Sequence, residues 1–157
     1  MSQVNIDRPV SHVTQQDENY CWACAFAMVL GRHSWAAALA LADRCPASAR
    51  NVTTGAVLDP GAAARAVGLS ASRVRGMTPA VLAEHLGRSA VALFGTYRGS
   101  GRPRKHVMVA SLLRGELTDP MTLTIGVDDP WANGTRWVGT WHQFVGSKLA
   151  HLDWLNR

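Results

Sequence analysis

Apolar residues gather in helix-length runs in the first half of this chain and in strand-length runs in the second. Residues 21–30, CWACAFAMVL, are nearly all apolar, which predicts a helix buried on most sides. The acidic and cap-forming residues Asp17, Glu18 and Asn19 stand before it, as suits a helix start. Gly31 interrupts the run, and a second helix is expected over residues 34–44, ahead of Pro46. Residues 60–67, with Gly68 behind them, read as a short helix with a stop. Thr78-Pro79 opens another, with threonine as cap and proline at the first position, and Gly87 closes it. Residues 1–19 read as an extended, polar lead-in.

The later pattern is different. Residues 90–97, 106–113 and 121–129 are rich in Val, Leu, Ile and Thr and predict strands; 136–141 and 151–155 are shorter candidates. Residues 99–105, GSGRPRK, read as a flexible basic loop, and 115–120 supply a turn. Helices first and strands after predict an α+β domain with a mainly antiparallel sheet. No internal repeat or low-complexity linker divides the chain, so its 157 residues are expected to form one domain with a sizeable core.

Composition narrows the setting. With 47% hydrophobic and 17% charged residues the chain is ordinary for a folded soluble protein. Its longest apolar run, residues 35–42, falls well short of the ~20 residues of a membrane span, so no membrane insertion is expected. Residues 1–8 are polar and lack the apolar region of a signal peptide, so export would need another route. The net charge of +5 favours acidic partners in general. An odd set of three cysteines, Cys21, Cys24 and Cys45, argues against a disulfide scaffold.

Cys21 heads the first apolar helix, where unpaired N–H groups and the positive end of the helix dipole favour a thiolate. Gln15, six residues earlier, is a candidate donor for an oxyanion. A base is needed as well, and of the six histidines His106 is placed for it, opening an apolar strand directly after the basic loop. If the strands either side of residues 115–120 form a hairpin, His106 and Asp129 become cross-strand neighbours. Asp128 competes for that role. Alternation puts Leu123, Ile125, Val127 and Asp129 on one apolar face and Asp128 on the other, expected to be wetter, which favours Asp129.

Gln15, Cys21-Trp22-Ala23, His106-Val-Met-Val and Asp129-Pro-Trp together resemble the papain-like cysteine peptidases. The likeness is greatest to the compact bacterial branch that includes secreted effector proteases of plant pathogens, and it covers roughly residues 13–145. It implies a papain-like fold, with Cys21 as nucleophile, His106 as general base and then acid, Asp129 orienting the imidazole, and Gln15 with the Cys21 backbone N–H holding the oxyanion. Trp22 resembles the family's packing tryptophan, and Trp131 would cover the His–Asp pair; both would line the cleft. Tyr20 departs from the glycine or serine common at that position in the plant enzymes. The resemblance further implies peptide-bond hydrolysis of a target protein without cofactor or metal, and a bacterial effector or toxin made in the cytoplasm and delivered by a secretion system. A cognate immunity or inhibitor protein would be its partner. The same triad can serve deamidation, transglutamination, acyl transfer or cell-wall amide hydrolysis, and an inactive domain of this fold could act as a binding module.

Plainer readings cover most other residues. Cys24, one turn along the buried helix, reads as core. A redox pair of Cys21 and Cys24 would want a thioredoxin-like βαβ order, and a zinc site from Cys21, Cys24, His33 and Cys45 lacks a second close pair. His12, His33, His85, His142 and His151 read as surface or satisfied residues, and Trp137, Trp141 and Trp154 as core. Arg98, Arg102, Arg104 and Lys105 form a charge run that reads first as solvated loop, although its place before His106 would put it at the cleft rim. Nucleic-acid binding would need aromatics interleaved with basic residues in a recognisable module, which the sequence lacks.

Overall fold

Side-chain caps set where the helices begin. A 3₁₀ turn (Glu18–Tyr20), capped by Asp17 through the Asn19 N–H, runs straight into α1 (Cys21–Val29). Ser34 accepts the Ala37 N–H, Asp59 that of Ala62 and Thr78 that of Val81. These start α2 (Trp35–Asp43), α3 (Pro60–Ala66) and α4 (Pro79–Leu86). A capping box of Thr140 and Gln143 opens the short α5 (Trp141–Gln143), which continues as a π-helical turn (Phe144–Lys148). The structure, a computed structural model, describes residues 2–99, 102–132 and 134–157. Residues 100 and 101 of the expected basic loop therefore lie outside the described residues.

Among the described residues seven strands form one antiparallel sheet: β1 (Gln3–Asp7), β2 (Ala71–Arg73), β3 (Val91–Tyr97), β4 (Arg104–Glu116), β5 (Thr124–Asp128), β6 (Arg136–Thr140) and β7 (Leu149–Asn156). Their order is β2-β7-β3-β4-β5-β6. The long β4 is shared along one edge, with β3 on its Arg104–Ala110 stretch and β1 on Leu112–Glu116. β4 and β5 form the hairpin expected around the 115–120 turn. The α+β architecture is thus as anticipated, with two strands that the local pattern did not reveal. In β1 only Val4 and Ile6 are apolar, and their pairing partners lie more than 100 residues on. The three residues of β2 hold a strand shape only because β7 supplies their partner. The expected short strand at 151–155 is the eight-residue β7, seated inside the sheet between β2 and β3.

Both faces of this sheet are covered. On one side α1, α2 and α3 pack over Ala92, Phe94, Val107 and Val109. On the other, Leu82 and Leu86 of α4 join Val91, Leu93, Met108, Ile125 and Val127. Every residue of α1 from Trp22 to Met28 is buried, as a helix apolar all round requires. Phe26 ties it to the sheet by a tilted contact with Phe94 of β3 at a centroid separation of 5.5 Å, and meets Trp22 of its own helix edge-on at 5.7 Å.

Candidate active site

Cys21 is the first residue of α1, half-buried at the head of the helix whose residues from Trp22 to Met28 are core. Tyr20 before it offers no side-chain cap, so nothing from that position competes for the helix-terminal N–H groups. Trp22 is fully buried and donates its indole N–H to the Gly55 carbonyl at 3.0 Å. Gly55 has φ of +80°, and a Cβ there would fall 2.1 Å from the Tyr20 ring. Only glycine lets this loop close over Tyr20 and receive the indole.

His106, near the start of β4, is mostly buried and bonds Asp129 from Nε2 to Oδ1 at 2.7 Å. The contact is diagonal. Val109 pairs with Asp128, so Asp129 falls level with Met108, and His106 reaches it from two residues away on the same face. The Trp131 backbone N–H donates to the same Oδ1 at 3.0 Å, which fixes the carboxylate from its own loop. Tyr97 meets the imidazole edge-on at 6.2 Å and anchors itself by donating its hydroxyl to the Leu93 carbonyl.

Electrostatics follow from these contacts. Burial pulls the His106 pKa down, but hydrogen bonds to Asp129 and Cys21, with the charges of both, push it up to about 9. The ring therefore carries its proton at neutral pH, and both its nitrogens donate. With Nε2 committed to Asp129, Nδ1 is the nitrogen open to the thiol. Burial pushes the Asp129 carboxyl up, yet the His106 bond and charge, with the Trp131 N–H, hold it below the usual carboxylate range. At Cys24 desolvation, reinforced by the charge of Cys21, pushes the thiol up to about 12, which makes it inert core. The three cysteines are free, and no described cluster of His, Cys, Asp and Glu is fit to hold a metal.

Asp128 corrects an expectation. It is buried rather than on a wet face, because Leu112 and the Arg136 stem cover that side of β5 at Gly126. Its Oδ2 accepts the Ser111 hydroxyl at 2.8 Å and lies 3.7 Å from Arg136 Nε. Ser111 is the extra residue of a β-bulge between Ala110 and Leu112, which turns its hydroxyl onto Asp128. No pattern of apolar positions announces a bulge, so this support was not visible beforehand.

Gln15 lies apart from the pocket-lining side chains. It is buried, its backbone N–H donates to the Pro130 carbonyl at 3.1 Å, and its Nε2 donates to the Asp17 carbonyl at 3.0 Å. The first bond ties the Gln15 segment to the loop that carries Asp129. One amide hydrogen of Gln15 remains after the Asp17 bond.

Cys21 and His106 open onto a cleft of about 480 Å³ between the helices and the sheet. Its walls include Trp22, Leu58, Phe94 and Trp154, so Trp154, expected to be core, faces the cleft. His106 also borders a second hollow of about 520 Å³, together with Asp129, Trp131 and the basic run. Trp131 is exposed and lines that hollow with His106 and Asp129.

No family model and no curated protein matches this sequence. Among solved structures, the chain is similar to a double glycine motif protease from an AMS/PCAT transporter, crystallised in complex with the leader peptide. The superposition covers 99% of each chain, with a TM-score of 0.53 and 18% identity. The fold is therefore that of a papain-like cysteine peptidase. Among the described residues no helix is long and apolar enough to cross a membrane.

Proposed function

We propose that this protein is a cysteine peptidase acting through Cys21, His106 and Asp129. The observation that carries the proposal is the meeting of Cys21 and His106 on one cleft, with Asp129 Oδ1 at 2.7 Å from the imidazole Nε2. The fold shared with a double glycine motif protease supports it, and that protein's leader-peptide complex favours a peptide as the occupant of the cleft here.

In the reaction, the Cys21 thiolate attacks the scissile carbonyl carbon while the imidazolium of His106 stands ready. The oxyanion forms against the backbone N–H of Cys21; the motif resemblance adds Gln15 as second donor, through the amide hydrogen left after its bond to Asp17, once that side chain turns toward the cleft. Collapse breaks the C–N bond as His106 gives its proton to the leaving amine, leaving a thioester. Neutral His106 then takes a proton from water, whose oxygen displaces the thiolate and releases the acid. Asp129 keeps the ring turned with Nε2 inward, so Nδ1 makes both transfers.

The motif resemblance extends the proposal to a bacterial effector or toxin that cleaves a protein in another cell and is restrained in its producer by a cognate inhibitor. Two measurements test the core of it. Cys21 should react with iodoacetamide at pH 6 well faster than a model thiol, and His106→Ala should abolish that advantage. Comparison of new protein N-termini made in a target lysate by wild type and Cys21→Ala should then show Cys21-dependent cleavage. An ordinary thiol rate, unaffected by His106→Ala, refutes the nucleophile and leaves a binding module. A reactive Cys21 that yields no new termini but a one-dalton mass gain in a substrate makes the protein a deamidase instead.

A further inference from the structure

The basic run before His106 is more than a solvated loop, because the fold delivers it to the hollow on the far side of the catalytic imidazole. Arg98, Arg102, Arg104 and Lys105 all line that hollow and Cys21 does not; Lys105 also borders the Cys21 cleft, whereas the three arginines do not. Arg104 lies two residues before His106 on β4 and so shares its face of the sheet. Arg98 is pinned: its guanidinium donates to the carbonyls of Val145, Gly146 and Leu149 at 2.7, 2.9 and 3.0 Å, which holds its charge at the hollow's edge. Arg102, Arg104 and Lys105 are exposed and have no ion pair or side-chain hydrogen bond among the described residues. Against these four cations stand the carboxylates of Glu18 and Asp129, and Asp129 is already committed to His106. The hollow therefore keeps an excess of positive charge, two of its arginines being free to form paired bonds with carboxylates.

The chemistry decides which part of a substrate meets this charge. His106 must hand its proton to the leaving amine, so that amine lies against His106, while the acyl group lies on Cys21. The cleft shared by Cys21 and His106 therefore takes the chain before the scissile bond. The hollow that His106 borders without Cys21 takes the chain after it. Resting on the peptidase reading above, we infer that this protein selects substrates with acidic residues immediately after the scissile bond, read by Arg102 and Arg104 beside the pinned Arg98.

Binding and cleavage test this separately. Fluorescent peptides with neutral residues before the bond and Asp-Glu-Asp after it are compared with neutral peptides and with peptides acidic only before the bond. Affinity for Cys21→Ala is read by anisotropy at low and at 0.3 M salt, since exposed charges are screened over ~10 Å at 0.1 M. Acid after the bond should tighten binding at least tenfold at low salt and lose most of that advantage in high salt. Adding Arg102→Glu and Arg104→Glu should reverse the preference while neutral peptides bind as before; Arg102→Gln with Arg104→Gln, a milder change, should only erase it. Equal affinity for all three peptides, or equal gain from acid on either side, overturns the inference. Selective binding with no cleavage by the wild type would instead strike the peptidase reading and leave the acidic-peptide site standing.

Discussion

Cys21 and His106 face each other across one cleft, yet opposite means hold them. Beneath Cys21 there is little polar scaffolding: seven successive buried residues of α1 hold the thiol chiefly by packing, with the Trp22 indole on the Gly55 carbonyl as the one directional bond described there. His106 is held by directional contacts, with Asp129 on its Nε2, the Trp131 N–H on Asp129 and the Tyr97 ring on its flank. Packing fixes a position and tolerates little change of volume, whereas hydrogen bonds also fix a protonation state. The division suits the proposed chemistry, in which sulfur need only be placed but the imidazole must be placed, turned and charged.

Damage to each side should therefore look different. The largest effect on stability is expected from Phe26→Ala, which opens a cavity between α1 and β3 and should cost about 3–5 kcal/mol in denaturant unfolding. What remains folded should keep the wild-type pH profile of peptide hydrolysis; an altered profile would mean that packing also tunes the imidazole. Next comes Asp129→Ala, expected to lower kcat/KM about 10²-fold with a smaller loss of stability. Wild-type activity should fall as pH rises through about 9, where His106 loses its proton. Without the bond and charge of Asp129 that alkaline limb should move down in pH. The stability side has a definite sign as well. Because folding raises the His106 pKa, its contribution is complete below the ordinary histidine value and fades as pH climbs through about 9. Asp129, whose pKa folding lowers, contributes above the ordinary carboxylate value and loses that contribution in acid. An alkaline limb unmoved by Asp129→Ala would break the comparison. The smallest change is expected of Ser111→Ala, which removes one buried hydrogen bond to Asp128 and should cost about 1–3 kcal/mol with no shift in the pH profile.

The packed side was the more legible in sequence. The CWACAFAMVL run, the Thr78 cap and the Gly87 stop are local signals, and each lies where the pattern placed it. The hairpin that brings His106 to Asp129 was legible too, since a short turn forces its strands together. What escaped notice depends on distant partners. β1 and β2 owe their shape to β4 and β7, and the buried setting of Asp128 arises from a bulge and from Arg136, which also reaches across to Asp7 at 3.1 Å. Alternation within one strand says which residues share a face, but not whether another element covers it. The basic run illustrates the same limit, being a plain charge cluster in sequence that the fold sets at the imidazole.

The place of β7 also governs when activity could first arise. Residues 149–156 fill an interior slot of the sheet, between β2 and β3, and Asp153 and Trp154 finish one wall of the cleft. A ribosome releases the chain from its beginning at about 5–20 residues per second, so the thiol and imidazole emerge well before that wall exists. During that interval β3 has an open edge and the cleft has no far side to hold a peptide. Under the function proposed above, the cleft can hold a peptide only once β7 has joined the sheet.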